Sequence, residues 1–275
     1  MDTIKDKISR FYSLIENYKE GAPDTRYKSW EWCHEYFFEN KDHNDENTKD
    51  IMALHLAFYL ASWGMYRGSS FLLQRDYKTH KQAIDIILEQ KYNSLWNYNP
   101  KDYNAIKQAS ELIFGNDGAY RKIKESYKDA KASDTLVTKI LMGTFGCIPA
   151  FDRFFKRGIS VCFGNNEYNG YKITQSIDNA NTINGMSTFM ALSYFVKDNE
   201  QDFKIKGHNE YSPMKCLDMY LWETGYELDL LDVLQKKSNG NIDTARSKAI
   251  KLGFASENDD NSVFIEQIKQ ANGIK

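Results

Sequence analysis

The chain has 275 residues, with 36 Lys and Arg against 38 Asp and Glu, a net charge of −2. That length supports one ordinary core or two small ones. The balance excludes a globally positive field, so any polyanion must be met by a local basic patch. The four cysteines, Cys33, Cys147, Cys162 and Cys216, lie far apart, so no Cys-x-x-Cys zinc or redox signature is present and no metal or cofactor is expected.

Only four prolines interrupt the chain, and helical periodicity dominates while strand alternation is scarce. A first helix is expected over Thr3 to Lys19, stopping at GAPD, and a second over Thr25 to Asn40 with Trp30, Cys33, Phe37 and Phe38 at helical spacing. KDHNDENTKD reads as a charged loop. The third helix, about Thr48 to Met65, is apolar in nearly every direction and should be central. Ser69 or Ser70 then caps a long helix from Phe71 to about Lys91. Further helices follow Pro100, ending at Gly115, and run over Tyr120 to Ala130. Ser133 or Asp134 opens the next one. The stretch ISVCFGNNEYNGYKI reads as a loop or small hairpin. Helices resume over Thr182 to Lys197, Pro213 to Thr224 and Glu227 to Lys237, and two more close the chain. The expected class is all-α, a two-lobed helical bundle with room for one small hairpin. It is read as a single helical unit over 1–275, whose lobes would be about 1–95 with the C-terminal helices and about 96–200.

The N-terminal segment is charged and amphipathic and lacks an apolar signal core. The longest apolar run, Ile51 to Met65, is broken by His55, Ser62 and Gly64, short of a membrane span. A cytoplasmic protein with no membrane partner is expected.

The most informative stretch is LMGTFGCIPAFDRFFKRG, Leu141 to Gly158. At about 100° per residue, Leu136, Val137, Ile140, Leu141, Thr144 and Phe145 share a core face, while Lys139 and Gly143 point the other way. Pro149 ends that helix, so Asp152 begins the next one. Asp152 can cap that helix through its free N–H groups, or it can be a catalytic acid facing a polyanion. Arg153, Lys156 and Arg157 follow it among aromatics.

The order in TKILMGTFGCIPAFDRFF (helix, glycine, short turn, Pro-x-x-Asp, then aromatic and basic residues) resembles the helix-hairpin-helix DNA glycosylases over about residues 134–158. The resemblance places Asp152 at the family's catalytic Asp. The hairpin position reads KASDTLVTK and carries no glycine, unlike the family pattern. The resemblance implies hydrolysis of the N-glycosidic bond of a damaged or modified base, in base-excision repair or phage defence. A carboxylate would stabilise the oxocarbenium character on the sugar. The partner would be double-stranded DNA with a flipped base, its backbone held by Arg153, Lys156, Arg157 and Arg75. Lys139 is the candidate Schiff-base nucleophile. It lies further from the hairpin than the family's lysine, so a surface lysine and a monofunctional hydrolytic reaction are favoured.

A second constellation is WGMYRGSSFLLQRDYKTH, Trp63 to His80. Trp63, Tyr66, Arg67, Ser69 and Phe71 are the expected base pocket: aromatics for stacking, and a helix start with small residues for an anion. Trp63 and Phe71 as core residues, with Ser69 as a plain cap, is the competing reading. Arg75-Asp-Tyr-Lys-Thr-His80 also resembles the Arg-x4-His motif of HEPN-type ribonucleases, in which both residues share one helix face. That motif is short enough to arise by chance, and His80 as a solvated helix residue is the plainer reading. The enzymatic alternative is a HEPN-like ribonuclease using Arg75 and His80; the non-enzymatic one is a helical interaction module. His34, His43, His55 and His208 lack metal-ligand spacing, and His55 reads as a core histidine. Asp218 and Trp222 share a helix face, as pocket lining or as a buried carboxylate in the core.

Overall fold

A computed structural model describes residues 1–22, 25–127, 130–177, 182–205 and 211–274. The architecture is all-α with one small hairpin. In chain order come α1 (Ile4–Glu16), α2 (Ser29–Asn40), α3 (Glu46–Ser62), α4 (Lys81–Ile87), α5 (Tyr103–Phe114), α6 (Ala119–Ser126), α7 (Asp134–Thr144) and α8 (Arg153–Cys162). The hairpin strands β1 (Glu167–Tyr168) and β2 (Tyr171–Lys172) precede α9 (Thr182–Asp198), α10 (Pro213–Leu234), α11 (Ile242–Lys251) and α12 (Asn261–Ala271). Short polar residues start most helices: the side chains of Thr3, Asp45, Asp102, Ser133, Asp152, Ser212, Asn241 and Asp260 each accept a backbone N–H of the first turn, which satisfies donors that the helix itself cannot. The hairpin turns at Asn169 and Gly170, both with positive φ, the conformation that an Asn-Gly pair supplies in a tight turn.

Three segments differ from the sequence expectation. The long helix over Phe71 to Lys91 is four short pieces: 3₁₀ turns at Phe71–Gln74 and Tyr77–His80, α4, and a further 3₁₀ run at Gln90–Leu95. Arg75 is extended (φ −122°, ψ 147°) and Asp76 restarts the chain by accepting the Lys78 N–H at 3.0 Å, so a local cap outcompetes helix propagation. Conversely, the two helices expected after Pro213 are one helix, α10, continuous through Gly225. The third helix is not fully enclosed, because Leu54 and Phe58 are exposed on one side of α3. The helices buried nearly all round are α7 and the greater part of α10. The stop at GAPD includes 23–24, and His208 lies in 206–210; both are outside the described residues.

Helix α8 packs most extensively on α10, and two glycines explain the closeness. A Cβ on Gly158 would sit 2.0 Å from the Leu221 carbonyl oxygen, and one on Gly225 would sit 1.9 Å from that of Phe154. The backbones therefore touch where neither residue carries a side chain. Residues from both expected lobes, from Ile8 to Ala271, enter one core cluster. Among the described residues no helix is long and apolar enough to cross a membrane. The four cysteines carry free thiols, and Cys33, Cys147 and Cys216 are buried.

Candidate active site

The segment between α7 and α8 is pinned at several of its backbone polar groups. Gly146 adopts φ +66° and accepts a hydrogen bond from the Ser212 hydroxyl at 2.5 Å. The Ala150 N–H donates to Asp218 Oδ1 at 2.9 Å, and Lys215 Nζ holds Asp218 Oδ2 at 3.0 Å. The Phe151 N–H donates to Thr138 Oγ1 at 2.9 Å, while Thr135 Oγ1 donates to the Phe151 carbonyl at 2.8 Å. The indole of Trp30 donates to the Met142 carbonyl at 2.9 Å, and His34 Nδ1 lies 2.6 Å from the Thr144 carbonyl. Those last contacts satisfy carbonyls at the end of α7 that have no partner within the helix. Asp218, with Trp222 one turn further along α10, is thus a buried strut of this turn.

Asp152 emerges from the pinned turn with both carboxylate oxygens engaged. Oδ1 accepts the N–H groups of Phe154 and Phe155, each at 3.1 Å, and so caps α8. Oδ2 accepts from Lys139 Nζ at 3.0 Å. The face of α7 expected to lie outside the core is in fact buried: Lys139 is 3% exposed, and its ammonium sits 5.1 Å from the centre of the Trp63 ring. A surface lysine is therefore excluded. Desolvation of that ammonium is offset by the carboxylate and by the electron-rich indole face.

These groups line one cleft of about 740 Å³ between the end of α3, the start of α8, α7 and α10. Trp63, Arg67, Lys139, Asp152 and Arg153 from the sequence expectation meet there. Arg26, Phe154 and Trp222 join them. Trp63 and Trp222 meet edge to face at 5.8 Å, Phe154 meets Trp222 at 5.1 Å, and Arg26 lies 5.5 Å over Trp63. Both indole N–H groups are buried without an acceptor among the described residues. Among the described residues the cleft carries four cationic side chains, Arg26, Arg67, Lys139 and Arg153, around one carboxylate, Asp152. Its chemistry is that of a site for an anionic, partly flat ligand, with an ion-paired carboxylate in the wall.

The rest of the expected pocket lies elsewhere. Tyr66 turns its hydroxyl to His80 Nε2 at 2.7 Å. Ser69 is exposed, and it is Ser70 that caps the following turn. Phe71 and Arg75 line a separate cavity of about 220 Å³. On α8, Arg153 reaches Asp229 at 3.2 Å and Arg157 reaches Asp232 at 2.6 Å, so both are committed to α10. Lys156 is half-buried on the same helix.

His80 is fully buried, not solvated. Tyr66 and Tyr127 hydroxyls lie 2.7 Å from its two ring nitrogens, and burial pushes its imidazole down to about 4. Arg75 stands on extended backbone outside that element. The two residues therefore do not share the helix face that a HEPN-type site needs. His55 is partly buried, with Nδ1 at 3.2 Å from the Trp32 carbonyl. Among the described residues no group of three or more His, Cys, Asp or Glu side chains could hold a metal ion.

Arg26 carried no sequence signal, since it lies on a 3₁₀ turn just past the GAPD stop. Trp222 did carry one, its position one turn from Asp218. Compared with protein-family models, curated proteins and solved structures, the chain matches none.

Proposed function

We propose that the chain is a DNA glycosylase-like enzyme that hydrolyses the N-glycosidic bond of a damaged or modified base. One observation carries this reading: Asp152, fixed by a pinned turn, faces a cationic aromatic cleft with Lys139 at 3.0 Å. A flipped nucleotide brings a flat base to the Trp63 and Trp222 walls and a phosphate to Arg26 and Arg67. As the C1′–N bond breaks, its electron pair leaves with the base and positive charge grows on the sugar. The Asp152 carboxylate stabilises that charge and accepts the proton of the water whose oxygen bonds to C1′. Lys139 holds Oδ2 in place. With its ammonium bound to the Asp152 carboxylate, Lys139 serves to hold that acid in place rather than to attack C1′, and the reaction is monofunctional. This cleft pairs the acid with the family resemblance, whereas the buried His80 removes support from the ribonuclease reading.

Duplexes each carrying one damaged or modified base test this, with abasic sites revealed by alkali. The expected result is base release with an intact strand before alkali, and no covalent complex after borohydride. A borohydride-trapped complex lost in Lys139→Gln contradicts the monofunctional assignment. No abasic site on any duplex contradicts the function itself.

A further inference from the structure

One side of α3 is left uncovered. Leu54 and Phe58, one turn apart, are 47% and 54% exposed. At about 100° per residue they share a stripe with Ala61, which is also exposed. Helix α2 lies alongside, and at the same spacing Trp32, Glu35, Tyr36 and Glu39 form its outer stripe. The two stripes meet. The Phe58 ring lies 6.0 Å from that of Trp32, and Tyr36 stacks on His55 at 4.2 Å. Single exposed apolar side chains are ordinary, whereas a contiguous ridge of aliphatic and aromatic groups marks an interaction surface.

Charge selects what covers this face. Glu35 and Glu39 are exposed beside the ridge and have no ion-pair partner among the described residues. The lysines around α3 are committed, Lys49 to Asp85 at 2.7 Å and Lys81 to Asp50 at 3.1 Å. The unneutralised charge along the face is therefore acidic. A second copy of the chain suits it poorly. An isologous contact sets a patch against itself and so brings like carboxylates together. Two half-exposed side chains also fall short of the roughly 800 Å² per partner that a stable dimer buries.

We propose that the α2–α3 face docks a basic amphipathic helix of a partner protein. Its apolar side chains cover Leu54 and Phe58, whose i, i+4 spacing offers a ridge for a third helix. Its lysines or arginines meet Glu35 and Glu39. Ala61 carries the stripe up to the Asp152 cleft, which it also lines, so the docked helix runs toward the mouth of that cleft. The proposal stands whatever chemistry the cleft performs.

A fluorescein-labelled amphipathic helix of about 18 Leu and Lys residues, titrated with the full chain and followed by anisotropy, tests this. The native chain should bind it and should not bind a Leu–Glu helix of the same pattern. Phe58→Ser should weaken binding by about tenfold or more, as loss of a central anchor does, with the urea midpoint verifying the fold. Leu54→Ser repeats the test should that midpoint fall. Glu35→Gln/Glu39→Gln should weaken binding at low salt and leave it unchanged at about 1 M salt, where charges are screened beyond about 3 Å. No binding of the Leu–Lys helix, equal binding of the Leu–Glu helix, or native affinity in a folded Phe58→Ser protein overturns the proposal. So does a native dimer in sedimentation equilibrium that Phe58→Ser splits, since the face is then an interface between copies.

Discussion

At the scale of single residues, the pair that matters most is Asp152 and Lys139, and half of it was legible. Pro149 and the apolar phase before it force a helix start at Asp152, and the structure has Asp152 as the N-cap of α8. The burial of Lys139 was not legible, because helical phase gives a direction and not what stands in that direction. What stands there is the Trp63 ring at 5.1 Å and the Asp152 carboxylate. His80 shows the same gap, since its polar neighbours Tyr66 and Tyr127 come from segments 14 and 47 residues away.

Buried histidines make stability depend on pH. Burial pushes His80 down to about 4 from 6.5. His34 is likewise pushed to about 4, by burial first and by the Lys215 charge, against the raising effect of its bond to the Thr144 carbonyl. Between these values the unfolded chain holds a proton that the native chain refuses, so stability falls as pH drops from about 6.5 to 4. Each group contributes at most about 1.4 kcal/mol per pH unit in that window. Urea unfolding at pH 7 and pH 5 should show the loss, and His80→Gln should reduce it. An unchanged pH dependence in that variant contradicts the neutral, buried state of His80.

Glu223 works in the opposite direction. It is fully buried, and neither oxygen has a hydrogen-bond partner among the described residues. Burial, reinforced by the neighbouring Glu227 charge, raises its carboxyl well above 4.5. The native chain then keeps a proton that the unfolded chain loses above about pH 4.5, so stability declines as pH rises past that value. Glu223→Gln should flatten the decline while keeping the fold, and the same urea series read from pH 5 to pH 8 checks it. A decline of native size in Glu223→Gln contradicts the protonated state.

At the scale of elements, the helices were legible wherever a cap and an apolar stripe agreed, as in α1, α5 and α7. They were misread where one side-chain bond or one absent side chain decided the outcome. Asp76 breaks the expected helix after Phe71 by accepting the Lys78 N–H, and nothing in the apolar spacing announces that. Gly225 looks like a helix end in sequence, yet it lies inside α10 because α8 needs the space. That explanation makes a prediction. Gly225→Ala and Gly158→Ala each force a methyl group onto a backbone carbonyl, so each should destabilise by about 1–3 kcal/mol or more, read as a drop in urea midpoint. A native midpoint in both variants contradicts backbone contact between α8 and α10. A shift in α8 also moves Asp152, so any folded Gly158→Ala protein should lose activity.

At the scale of the whole molecule, the sequence balance of −2 required a local patch, and among the described residues the cleft supplies one in four cationic side chains around Asp152. The residues that form it come from the turn at Arg26, the end of α3, α7, α8 and α10, so the patch exists only when one core assembles. That is why Trp63, Lys139 and Asp152 could be named from sequence while Arg26 could not. The most direct measurement of the central claim is single-turnover base release from a modified duplex by Asp152→Asn. Asparagine retains an oxygen that caps α8, so the variant should fold and bind duplex with native affinity while its rate falls by about 10²-fold or more, as when a charge-stabilising group is removed. Base release at the native rate by a folded Asp152→Asn protein would contradict the account.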